Sequence, residues 1–106
     1  MDVFPKFIIE TDDIEGDCLI VALCTHHKQL VTDPTKVKGG GWWLREDSNV
    51  VTFHGKSEDF GPAEFENIKA CILNKKVFSS SSLLKNISDT YDFKYRNVYG
   101  EIININ

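Results

Sequence analysis

The chain has 106 residues, enough for one hydrophobic core and too few for a second, so a single globular domain over residues 1–106 is expected. Hydrophobic residues make up 42% and charged residues 26%, which excludes a disordered chain; the longest strongly apolar run, Cys18 to Cys24, is far short of a membrane helix. A formal net charge of −4 argues against a protein devoted to neutralising phosphates, while leaving room for a local basic patch.

Met1 to Lys6 carries an acid before a short apolar run and has none of the regions of a secretory signal, so export is not expected. Three cysteines, Cys18, Cys24 and Cys71, are an odd and sparse set, which fits a reducing, cytoplasmic location and leaves the sequon Asn86-Ile87-Ser88 without meaning. Val3 to Thr11 and Asp17 to His26 are rich in branched and aromatic residues and flank the turn formers Asp12 to Gly16, which predicts a β-hairpin. Both faces of its second strand are apolar, which predicts a central position in the sheet. His27 to Lys38 is polar, contains Asp33-Pro34, and reads as a loop that Gly39 to Gly41 continue. Trp42 to Arg45 and Val50 to Gly55 then read as a second hairpin.

Pro62 stands where a first helical residue belongs, and Phe65, Ile68 and Ile72 form one stripe, so the main helix is predicted over about 62–74. Glu64 and Glu66 near its start and Lys75 and Lys76 at its end suit the macrodipole. A short strand at Lys76 to Phe78 and a brief helical turn from Ser79 carrying Leu83, Leu84 and Ile87 follow. Tyr91, Phe93 and Tyr95 alternate with charged residues as in a half-buried strand, and Gly100 to Asn106 ends the chain as β. The fold class is α+β: an antiparallel or mixed sheet of about five strands built from hairpins, with one main helix packed on it.

No catalytic or metal set emerges. Cys18 and Cys24 are separated along one strand by about 20 Å, too far to share an ion, and Cys24 with His26 makes only two ligands. A thiol within an apolar strand has a raised pKa and is inert as a nucleophile. His54 is the better general-base candidate, but no partner for it is evident. Gly55-Lys56-Ser57 lacks the earlier glycine of a phosphate-binding loop, since Val50 stands there, and Asp59-Phe60-Gly61 is better read as the turn that starts the helix. Asp12, Asp13, Glu15 and Asp17 fail the calcium-loop spacing at Thr11 and Ala22 and read as a solvated acidic turn. No cofactor is expected.

The run Lys38-Gly39-Gly40-Gly41-Trp42-Trp43 is harder to set aside, because three consecutive glycines carry a backbone entropy cost that an ordinary surface loop avoids. Adjacent strand residues point to opposite faces, so one tryptophan fills the core while the other covers the second face or contacts a partner. Lys38, Gly39, Gly40, Gly41, Trp42, Trp43, His54 and Lys56 are therefore the candidate contact residues, weighed against a purely structural role for both rings. Tyr91, Phe93 and Tyr95 would stack single-stranded bases if exposed, but Lys94 and Arg96 point away from them, which favours a core-facing stripe.

The block Val37 to Trp43, continued by Phe53 to Gly61 and Ile68 to Ile72, resembles a family of small uncharacterised bacterial and phage-encoded proteins that share the glycine–tryptophan run and the Asp-Phe-Gly turn. The resemblance covers roughly the middle half of the chain and implies an accessory protein of a bacterium or its mobile elements, with no activity or catalytic residue to carry over. The resulting expectation is a non-enzymatic module with a protein partner. Nucleic acid is disfavoured by the net charge, no membrane is expected, and a homodimer through an edge strand stays open. The alternatives are a nucleic-acid-binding accessory protein using Tyr91 to Arg96 and a small hydrolase or nucleotide-binding enzyme built on His54, Lys56 and Asp59.

Overall fold

The computed structural model describes residues 3–47, 49–79 and 91–106. In chain order the elements are β1 (Phe4–Asp12), β2 (Gly16–Cys24), two short 3-10 turns (His27–Leu30 and Pro34–Lys36), β3 (Val37–Asp47), β4 (Val50–His54), α1 (Phe65–Leu73), β5 (Val77–Ser79), β6 (Asp92–Arg96) and β7 (Ile102–Asn104). The strands form one mixed sheet in the order β5-β2-β1-β3-β4-β6-β7. Pairing is antiparallel except for β2 with β5 and β4 with β6. The α+β class holds, with seven strands rather than about five, two of them three-residue strands that close the sheet's edges.

The β1–β2 hairpin forms where its sequence predicts. Asp12 Oδ1 accepts the amide N–H groups of Ile14 and Glu15 at 2.8 and 2.9 Å, and Gly16 takes the left-handed φ of +79° that closes the turn. The surrounding acids are ion-paired rather than merely solvated: Lys36 meets Asp13 at 2.6 Å, Lys38 meets Asp17 at 3.1 Å, and Lys76 holds Glu15. β2 is not central but second from the edge, because β5 pairs with it along Leu19 to Val21.

Residues paired across strands share a face, and this builds the core. Phe7 and Ile9 lie beside Val21 and Leu19, Trp43 beside Phe53, and Val51 beside Phe93. Ile68, Cys71 and Ile72 of α1 close over that face. The helix starts at Phe65, three residues later than its sequence suggests, because Gly61 and Pro62 are drawn into pairing with Gly40 of β3. It ends with Lys75 at φ +58°, Lys75 N–H donating to Ile72 and Lys76 N–H to Cys71, a Schellman closure made without glycine. Lys76 then passes directly into the β5 pairing through a bond from Leu19 N–H to its carbonyl at 2.9 Å.

The aromatic stripe of β6 is core-facing. Tyr91 and Phe93 are buried, Phe93 stacks on Phe53 at 6.0 Å, and Tyr95 packs against Phe65 at 5.2 Å. The helical turn expected from Ser79 through Ile87 lies outside the described residues apart from Ser79, which ends β5.

Candidate partner-binding site

The three glycines lie within β3 and not in the loop before it. β4 pairs with β3 only as far as His54 opposite Trp42, so the amino-terminal half of β3 extends beyond it. The segment from Gly55 to Pro62 folds back onto that free edge. Ser57 N–H donates to the Gly40 carbonyl at 3.1 Å, and Gly40 N–H donates to the Gly61 carbonyl at 3.0 Å. A β-carbon at Gly39 would sit 2.3 Å from the Pro62 carbonyl oxygen, at Gly40 2.5 Å from that of Phe7, and at Gly41 2.6 Å from that of His54. Gly39 also has φ +130°. Each glycine therefore admits a neighbouring backbone that a side chain would displace.

The Asp59-Phe60-Gly61 sequence completes this fold-back. Ser57, 1% exposed, has its Oγ accepting the N–H groups of Asp59 and Phe60 at 3.2 Å each. The turn is fixed from within, and the exposed side chains of Glu58 and Asp59 are presented outward.

The two tryptophans separate as strand alternation requires. Trp43 is 5% exposed, and its Nε1–H is shared between the carbonyls of Lys6 at 3.1 Å and Ala22 at 3.3 Å. Trp42 is half-buried on the other face, edge-on to Phe4 at 5.7 Å and to His27 at 6.2 Å. It forms one wall of a cleft of about 200 Å³ whose other sides are Lys6, His26, His27, Lys56 and the Glu58–Asp59 turn.

Lys6 is 8% exposed, donates to the Thr25 carbonyl at 2.6 Å and lies over the Trp42 ring at 4.9 Å. His27 is 4% exposed, and its Nε2–H donates to the Gly41 carbonyl at 2.7 Å. Burial pushes the His27 pKa below the ordinary 6.5, and the nearby Lys6 charge acts in the same direction against the hydrogen bond to Gly41, so the ring is neutral at pH 7.

A second cavity, about 630 Å³, lies on the other side of Gly55 and Lys56. His54, Lys56 and Arg96 line it together with Tyr95 and Val98, and among the described residues no carboxylate does. Burial, and then the Arg96 charge, push the His54 pKa down. All three histidines of the chain thus gather around these two cavities with Lys6, Lys56 and Arg96. The ion-paired acids sit at the other end of β1, about 20 Å from Lys6 at the usual strand rise.

Of the residues singled out in the sequence, Trp42 and Lys56 line the cleft, and His54 and Lys56 line the second cavity. Gly39 to Gly41 form the strand beneath, Trp43 is core, and Lys38 is spent on Asp17 at the acidic end. His54 and Asp59 line different cavities, so the trio His54, Lys56 and Asp59 does not converge. Among the described residues no group of three metal-ligating side chains forms, and Cys18, Cys24 and Cys71 are buried free thiols with raised pKa values, Cys71 pushed up by burial to about 12.

In the sequence Lys6 stands out only as the end of the amino-terminal segment, Arg96 only as a charge on the Tyr91 to Arg96 strand, and His27 only as the start of the loop that runs to Lys38. Lys6 carries a signal: it alternates with Ile8 on a face of β1 that its register sets against Ala22 and Trp42, where a lysine is out of place unless it has a task. A scan of protein-family models, a search of curated proteins and a search of solved structures each found nothing that matches this chain.

Proposed function

We propose that this protein is a non-enzymatic interaction module that engages a protein partner through the Trp42 end of its sheet. The observation that carries the reading is segregation of function-bearing groups. A chain of net charge −4 gathers Lys6, His26, His27 and Lys56, with Glu58 and Asp59, around a half-buried tryptophan and places His54 and Arg96 at the second cavity that Lys56 also lines, while lysines pair with acids of the turn at the far end. A partly exposed tryptophan flanked by cations has the composition of an interface hot spot. The non-convergence of His54 and Asp59 and the burial of every cysteine leave no nucleophile–base pair at this end. The resemblance carried by the glycine–tryptophan block supports an accessory role in a bacterium or its mobile elements.

Capture of partners from host lysate on the immobilised protein tests the reading when run beside Trp42→Ala, Lys56→Glu and, at the acidic end, Asp13→Asn. The module binds through this end when the first two lose a partner that Asp13→Asn keeps. Equal capture by all four proteins contradicts it. A second reading, binding of a phosphate-bearing ligand or nucleic acid, draws on the second cavity, which among the described residues is lined by Lys56 and Arg96 and by no carboxylate. It predicts salt-sensitive binding of a single-stranded oligonucleotide that Arg96→Ala weakens, and no binding at low salt removes it.

A further inference from the structure

Two side chains more than nine-tenths buried, Lys6 and His27, line the Trp42 cleft, and both have hydrogen-bonding capacity left unused among the described residues. An ammonium carries three donors, and Lys6 spends one on the Thr25 carbonyl. No carboxylate among the described residues pairs with it, and its other neighbours are the faces of Phe4 and Trp42, so a buried cation is left without a counter-charge. His27 donates from Nε2 to the Gly41 carbonyl, so in the neutral ring the lone pair is on Nδ1. Nδ1 has no partner among the described residues, where no solvent-inaccessible side-chain nitrogen or oxygen goes unsatisfied, and it therefore opens to the cleft that His27 lines.

The cleft thus offers a cationic donor and a neutral acceptor side by side. We propose that it is a carboxylate-binding site for an N-acylated amino-acid unit, with the carboxylate on Lys6 Nζ, the adjacent amide N–H on His27 Nδ1, and the aliphatic part of the ligand against the Trp42 ring. One buried ammonium matches one negative charge. The volume of about 200 Å³ holds a residue-sized group and not a nucleotide. The same chemistry is presented by an acidic side chain within a peptide and by a chain's carboxyl terminus. For its biological occupant, a segment of a protein partner, the proposal rests on the interaction-module reading above.

The test uses the full chain and three probes: N-acetyl-aspartate N-methylamide for the internal acidic residue, N-acetyl-alanine for the chain end, and N-acetyl-asparagine N-methylamide as the neutral control. Titrations are read by the indole Nε1 shift of Trp42 and the Nδ1 shift of His27. At least one carboxylate probe saturates both signals and binds about tenfold or more tighter than the asparagine probe, the difference expected of a charge-assisted hydrogen bond. The tighter of the two carboxylate probes identifies the source. Lys6→Met, with a cooperative melt confirming that it is folded, loses that preference, and Lys6→Arg keeps it. Equal response to the asparagine probe and to both carboxylate probes, or no movement of either signal with any carboxylate, overturns the proposal, and this wild-type arm decides even where Lys6→Met does not fold. A captured partner lost with Trp42→Ala but held by folded Lys6→Met removes the carboxylate while leaving the module. Carboxylate binding by a protein that captures no partner keeps the site and removes the module.

Discussion

Alanine at Gly40 separates close backbone approach from backbone conformation. Gly40 has no positive φ, but a β-carbon there would lie 2.5 Å from the Phe7 carbonyl oxygen, where ordinary contact begins at 3.4 Å. That oxygen belongs to a strand paired on both sides, so it has little freedom to retreat. Gly16 is the complementary case, with φ +79° and nothing within 4 Å of the added carbon. Gly39 combines both features, with φ +130° and 2.3 Å to the Pro62 oxygen. Overpacking of this kind costs about 1–3 kcal/mol, and a β-carbon in the left-handed region about 1–2 kcal/mol, against a total stability of about 5–15 kcal/mol. Gly39→Ala is therefore expected to cost about 3–4 kcal/mol, Gly40→Ala about 2 kcal/mol, and Gly16→Ala about 1 kcal/mol after the loss of unfolded-state freedom is counted. Urea unfolding of the three variants gives the order directly, and each kcal/mol moves the thermal midpoint by about 4 °C in a domain of this size. If Gly40→Ala and Gly16→Ala are equally destabilised, close approach of the β1 backbone is not what Gly40 serves, and if Gly39→Ala costs no more than Gly16→Ala, the fold-back of Gly55 to Pro62 is not what Gly39 serves.

The tryptophans should part company in the same assay, Trp43→Ala costing about 3–5 kcal/mol as a buried aromatic and Trp42→Ala less than half of that. Stability should fall as pH drops below 6.5, because the unfolded chain takes up protons at His27 and His54 that the folded protein refuses until lower pH; replacing both with asparagine flattens that limb of the profile. On the alkaline side the sign reverses: the unfolded Cys71 thiol ionises from 9.0 and the folded one only near 12, so Cys71 contributes a decline in stability of about 1.4 kcal/mol per pH unit between those values, a share that Cys71→Ala removes while Cys18 and Cys24 keep theirs. In the native state all three thiols should resist a disulfide reagent that titrates them readily in denaturant. Phe93→Ala should unfold the domain without changing any oligonucleotide affinity of the folded fraction, because that ring lies in the core.

Local chemistry was legible in the sequence. The Asp12 to Gly16 turn, the opposite facing of Trp42 and Trp43, and the inward stripe of Tyr91 and Phe93 all follow from turn residues and strand alternation, which act within a few residues. The placement of Gly39 to Gly41 was not legible, because a glycine run is permissive everywhere and it becomes a strand through distant partners, Phe7 to Ile9 of β1 on one side and the returning Gly55 to Pro62 segment on the other. The same contact delays the helix to Phe65. The parallel pairings of β2 with β5 and β4 with β6 join segments with no turn signal between them. The cleft was half visible. Trp42 and Lys56 stood out by type, whereas Lys6 and His27 become neighbours only once β1 and the corner after β2 are folded against β3. Net charge was the least informative guide, since −4 over the whole chain does not show that Lys6, Lys56 and Arg96 lie at one end and the ion-paired acids of the turn at the other.

The most direct measurement of whether the Trp42 end is the contact surface is an amide and indole shift map of the labelled protein with its captured partner. Binding there moves Lys6, Thr25 to His27, the Trp42 indole and Lys56 to Asp59, and leaves Asp12 to Asp17 in place. Shifts confined to the acidic turn or to the β7 edge, with the Trp42 indole unmoved, would contradict it.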